Sequence, residues 1–207
     1  MLPCQMNPIK PRRIIALVVA VAASAANLAA EPLFTDSFTA LDNVAERRAQ
    51  RGDWQIADGI AKCTQDDALY KKYKDHGPII FYDFPTTDAT LRYAFRPRGC
   101  KTVVFTLNGE RGHVFRLVTS EKGSNSRAFP PNGDRKSIAT HVAPDWKLSD
   151  GQWTQVKVTI EGKTATVKFG DEDPIQVEHV TYAEPKRNFS VGFAFGELEV
   201  KDLTVSK

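Results

Sequence analysis

The stretch NGERGHVFRL, Asn108 to Leu117, sets an imidazole and a guanidinium, His113 and Arg116, into an otherwise apolar run. Histidine titrates near neutrality and so can act as a base or donor. A guanidinium close by can hold charge that develops on an oxygen. The flanking segments add more polar groups. In ATLRYAFRP and KTVVFTLN the residues out of phase with the apolar set include Thr90, Arg92, Arg96, Thr106 and Asn108. Arginine and amide side chains make paired hydrogen bonds, which suits a ligand rich in hydroxyls. Tyr70, Tyr73, Phe81 and Tyr82 offer rings on which a sugar could stack. The plainer alternative is that Arg92, Arg96 and Arg116 solubilise the open side of a sheet and pair with acids.

Other chemistries are poorly served. His76, His113, His141 and His179 are irregularly spaced and there is no CxxC, so no metal site is expected. No cofactor is assigned from the sequence. Ordinary glycoside hydrolysis needs two opposed carboxyl groups, ~5 Å or ~6.5–9.5 Å apart, and no ExDxxE pattern supplies alternate acids on a strand face. The acids of DEDP, Asp171 to Pro174, fall at an expected hairpin tip, and Asp66, Asp67 and Asp75 fall in loops.

The elements that must carry these residues begin after residue 30. Lys10, Arg12 and Arg13 precede an apolar run, Ile14 to Ala26, followed by NLAA, which is the pattern of a secretory signal peptide. The run is too short for a spanning helix of ~20 residues. Cleavage is expected after Ala30, with a cut nearer Ala26 as the alternative, and Cys4 lies upstream of the run, away from any lipoprotein cysteine position. A secreted or periplasmic protein with no membrane span after cleavage follows. The chain's surplus of three positive charges equals the three basic residues of that leader, so residues 31–207 are formally neutral. That argues against nucleic acid and anionic membranes as partners. Cys63 and Cys100 remain beyond the leader; in an oxidising compartment they either pair or stand as two buried free thiols in separate strands.

Residues 31–207 read as a single all-β domain. Leu91, Tyr93 and Phe95 alternate with polar residues, as do Val103, Phe105 and Leu107, then His113, Phe115 and Leu117 against Val114, Arg116 and Val118. These three segments are expected as consecutive antiparallel strands, Arg116 on the wet side and His113 at a strand start beside the turn. WTQVKVTI and TATVKFG flank the turn EGK, and Phe189, Val191, Phe193 and Phe195 share a face before a reversal at Gly196. LDNVAERRAQ, Leu41 to Gln50, has helical character, and residues 120–150 read as a long loop with at most one edge strand. About a dozen short strands between turn residues define a two-sheet antiparallel β-sandwich or jelly roll.

Taken in order, FTDSF, GDWQIADGIAKC, HGPIIFYDFP, RGHVFRLV, DGQWTQVKVTIEGKTATVKFG and LEVKDLTVSK resemble the concanavalin A-like jelly-roll domains of exported bacterial proteins, specifically the 3-keto-disaccharide hydrolase-like group abundant in planctomycetes. The resemblance covers residues 34 to 205; the NSGI-type strand and acid-rich loops of that group's fuller members are absent. It implies a carbohydrate or glycoside ligand bound around His76, Asn108, His113 and Arg116, with Lys62 and Asp83 as outer candidates. It also implies chemistry on a 3-keto sugar, in which His76 or His113 is the base and Arg116 or Lys62 holds the enolate oxygen. A non-catalytic carbohydrate-binding or cell-surface interaction module of the same fold is the alternative.

Overall fold

The computed structural model describes residues 31–39, 44–131 and 136–207; the leader expected at residues 1–30 lies outside the described residues. Two antiparallel sheets face each other. The first runs β13 (Ile175–Glu178), β12 (Thr164–Phe169), β11 (Thr154–Glu161), β6 (Ala89–Arg98), β15 (Glu197–Ser206), β4 (Ile60–Thr64), β3 (Gln55–Ala57), with β1 (Pro32–Asp36) alongside the far half of β15. The second runs β10 (Ile138–Ala143), β9 (Gly123–Ala128), β8 (Gly112–Ser120), β7 (Thr102–Gly109), β14 (Lys186–Ala194), β5 (Ile79–Tyr82), β2 (Arg47–Gln50). This is an all-β sandwich of the concanavalin A-like jelly-roll class.

The period-two pattern places the core. Leu91, Tyr93 and Phe95 from β6 face Phe105, Leu107, Phe115 and Leu117 from β7 and β8, and all are buried. Tyr93 stacks on Phe105 across the gap with ring centroids 5.3 Å apart, and Tyr82 stacks on Phe189 at 4.9 Å. Each such ring contributes on the order of 1.5–3 kcal/mol by burial. A polar clasp joins the layers at one corner. Asp36 of β1 accepts two hydrogen bonds from Arg47 of β2, both 2.8 Å, and one of 2.8 Å from the Tyr82 hydroxyl of β5.

Three expectations about elements need correction. β6 is not a neighbour of β7: both its edges are occupied, by β11 and β15, so the Gly99–Lys101 connection carries the chain across to the other sheet. The segment Leu41 to Gln50 is not helical where described; Arg47–Gln50 form β2 against β5, and 41–43 lie outside the described residues. An α-helix is found instead at α1 (Asp67–Lys72), capped by the Asp66 side chain, which accepts from the backbone N–H of Ala68 and Leu69. The region 120–150 contains two paired strands, β9 and β10, where a long loop with at most one edge strand was expected. No helix among the described residues is long and apolar enough to cross a membrane.

Candidate functional site

Two β-bulges assemble the outer face of the second sheet. Leu107 of β7 is opposite Phe115 of β8, yet Asn108 is opposite His113, so Val114 is an extra residue on β8. On the other side Asn108 is opposite Asn188 while Gly109 is opposite Lys186, so Arg187 is extra on β14. A bulge re-aims the side chains beside it. Strict alternation would have set Val114 opposite Asn108 and turned His113 inward with Phe115. The insertion instead buries Val114 and brings His113 to the outer face with Arg116, correcting the expected direction of both. His113, Asn108 and Asn188 thus form one row across three strands.

Hydrogen bonds fix the protons of that row. The Arg116 Nη2 donates to His113 Nε2 at 2.7 Å, and a guanidinium can only donate, so Nε2 accepts. Nδ1 therefore carries the ring proton and donates to Asn108 Oδ1 at 2.6 Å, and Asn108 Nδ2 donates to Asn188 Oδ1 at 2.8 Å. Phe129 lies edge-on to the imidazole at 5.0 Å and under the Arg116 guanidinium at 5.4 Å. Burial, then the Arg116 charge, then His76 lower the His113 pKa to about 4. Its lone pair is occupied and it is neutral at pH 7, so it is a poor proton acceptor there.

His76 stands differently. After α1, Lys74 and Asp75 both take left-handed backbone, with φ of 55° and 60°. The loop then lies flat on β14. A Cβ at Gly77 would meet the Phe193 carbonyl oxygen at 2.0 Å, so only glycine permits this approach, and Phe193 N–H donates to Pro78 O at 3.1 Å. His76 Nδ1 lies 3.0 Å from Tyr73 O and 2.8 Å from Lys74 O. Both partners are carbonyls, so Nδ1 is the donor and Nε2 keeps a bare lone pair. His76, Asp75, Arg51, Thr106 and Arg116 line one cleft of about 220 Å³ between loop and sheet. A second hollow of about 490 Å³ opens beyond His113, bounded by Arg111, Phe129, Pro130, Pro131 and Glu184.

Of the residues singled out in the sequence, Asp75, His76, Thr106, Asn108, His113 and Arg116 meet at this face. The others do not. Arg92 is on the outer side of the opposite sheet, across from Lys157 and Thr204, because β6 belongs to that sheet. Lys62 is on that opposite sheet too and pairs with Glu197 at 3.0 Å. Asp83 is held by Arg48 at the β2–β5 edge, and that guanidinium keeps its carboxyl below the ordinary range. Tyr82 is fully buried, which removes it as a stacking surface. Cys63 and Cys100 are both free; burial pushes their thiols up to about 12 and about 11.

Sequence reading missed Asn188, Arg127 and Phe129, while Asp75, named there as a loop acid, lines the His76 cleft. Arg127 is directly opposite Arg116 on β9. The inward residues of β9 are Ser124, Ser126 and Ala128, which are small and mostly polar, so no hydrophobic alternation announced a strand. They are buried because they satisfy one another: Ser124 Oγ donates to Trp146 O at 2.6 Å, and Ser126 bonds Thr140 at 3.0 Å.

No family model matches the chain, and no curated protein matches it in sequence. Solved structures match its shape. The carbohydrate binding module CBM66 from Bacillus subtilis superposes with a TM-score of 0.60 at 9% identity, covering 80% of this chain and 98% of that one. A Parabacteroides distasonis protein provisionally named a glycosyl hydrolase gives 0.55 at 10% identity, covering 86% and 98%. A family 7 alginate lyase in complex with substrate gives 0.50 at 12%, covering 64% and 71%. At such identities the likeness is one of fold, the jelly-roll sandwich.

Proposed function

We propose that the protein is an exported carbohydrate-active domain that cleaves 3-keto-glycosides on the β8–β7–β14 face, with His76 as the base. The leader pattern at residues 1–30 supports export. The names carried by the jelly-roll neighbours, a carbohydrate binding module and a glycosyl hydrolase, support a sugar ligand. The observation that carries the reading is the bare Nε2 of His76, its Nδ1 proton pinned by two backbone carbonyls, in a cleft shared with Arg116. A ketone at C3 acidifies the C2 proton. His76 Nε2 takes that proton, the C1–C2 double bond forms and the C1–O bond breaks. The departing oxygen takes the proton back, and water then adds across the double bond. Arg116, with N–H groups to spare, stabilises the enolate oxygen; His113 positions Arg116 rather than reacting.

Turnover of a 3-keto-glucoside by the full chain tests this. His76→Gln should lower kcat by about 10²–10⁴-fold with KM little changed, whereas His113→Gln should lower it less and raise KM. Full turnover by His76→Gln sinks the assignment. The competing reading is a non-catalytic carbohydrate-binding module. It is favoured by one feature: Asp75 is the single carboxylate among the described residues lining the His76 cleft. Binding of the glycoside by the unaltered chain without turnover would establish that reading instead.

A further inference from the structure

Arg116 and Arg127 are directly opposite each other on adjacent antiparallel strands, both half-buried on the outer face. Like charges so placed cost stability. Elsewhere on the surface the arginines Arg48, Arg96, Arg111 and Arg187 each meet a carboxylate. Among the described residues these two do not. Arg116 donates from Nε to Thr106 Oγ1 at 3.3 Å and from Nη2 to His113 Nε2. Arg127 donates to Ser137 Oγ at 2.7 Å, Ser137 O at 3.2 Å and Asn125 Oδ1 at 3.2 Å. Every partner is neutral. A guanidinium has five N–H groups, so Arg116 keeps three and Arg127 two for a ligand. Phe129 shields the Arg116 side, and burial together with the neighbouring Arg127 makes the Arg116 cation less comfortable than an ordinary arginine.

We infer that the Arg116–Arg127 pair seats a carboxylate borne by the sugar, so that the preferred ligands are uronic-acid-containing glycosides rather than neutral ones. The inference rests on the carbohydrate reading of the same face. A planar carboxylate accepts two parallel N–H bonds from a guanidinium fork, and bridging two forks relieves their mutual repulsion at the same time. Neither the His76 cleft nor the row from His113 to Asn188 is blocked by this placement, since Arg127 lies on the β9 side of Arg116, away from β7 and β14. A carboxylate there anchors one edge of the sugar while the base works at the other.

Calorimetric titration of the full chain with a disaccharide ending in glucuronic acid, and with its glucose-ended counterpart, tests the assignment. The acidic sugar should bind at least about tenfold more tightly, and the margin should shrink between about 0.05 and 0.5 M salt as the charges are screened. Arg127→Gln should erase the margin while leaving the neutral sugar's affinity within about threefold; Arg127→Lys should keep part of it, as a point charge without the fork. Equal affinity for the two sugars, or a margin that survives Arg127→Gln, overturns the carboxylate seat and leaves the carbohydrate reading standing. If the protein melts cooperatively yet binds neither sugar, the carbohydrate reading itself fails and the seat falls with it.

Discussion

Two histidines on one face have opposite capacities, and the difference lies in which atoms bond them. His76 gives its Nδ1 proton to carbonyls and keeps Nε2 open. His113 has Nε2 filled by Arg116 and Nδ1 committed to Asn108. Residue type alone, the only information in the sequence, ranks them equally. The His113 environment has a measurable consequence for stability. Its folded pKa of about 4 lies below the ordinary 6.5, so the unfolded chain takes up this proton more readily than the folded one. The stabilising contribution is complete above pH 6.5, falls as pH drops through the window from 6.5 to 4, and levels off below that. Urea denaturation across this range should show His113→Gln with a shallower acid decline than the unaltered protein. Parallel declines would mean that His113 titrates normally.

At the scale of elements, alternation told inside from outside correctly for β6 and β7, but it could not choose strand neighbours. Period two is a property of one strand; pairing depends on which edges are free, and β6 had none left for β7 once β11 and β15 were in place. Nor can alternation foresee a bulge, which is why His113 was expected only at a strand start beside the turn, in phase with Phe115, and not in a row with Asn108 on the outer face. The HGP segment entered the sequence analysis only as part of the resemblance, and its physical reason emerges from the contact of Gly77 with β14. That contact makes a prediction about the element rather than the imidazole. Gly77→Ala forces a methyl group to within 2.0 Å of the Phe193 carbonyl oxygen, so the loop must lift. A cost of about 1–3 kcal/mol is expected in urea denaturation. Turnover should fall together with it, although His76 itself is unchanged. A Gly77→Ala variant with full stability and activity would show that the loop does not need this seat.

For the molecule as a whole, the sequence was informative about the layers and uninformative about what fastens them. Apolar residues with period two demand a two-sided core, and that core is where Tyr93 meets Phe105. The polar clasp of Asp36, Arg47 and Tyr82 links strands separated by up to 46 positions and carries no local pattern. Asp36 belongs to one sheet and its two partners to the other, so the clasp ties the sandwich together across a dry corner. The carboxylate is the member the others depend on most, because it accepts from both of them and from its own Phe38 N–H at 2.9 Å. Burial and the adjacent carboxylate push the Tyr82 hydroxyl well above its ordinary range, so it remains a donor throughout the neutral region. Removing that hydroxyl deletes one of the four hydrogen bonds described at the Asp36 carboxylate, whereas Asp36→Asn removes the charge opposite a buried guanidinium. Tyr82→Phe should therefore cost about 1 kcal/mol and Asp36→Asn about 3 kcal/mol or more in chemical denaturation. Comparable losses for the two would mean that the corner is held by ring packing instead of by charge.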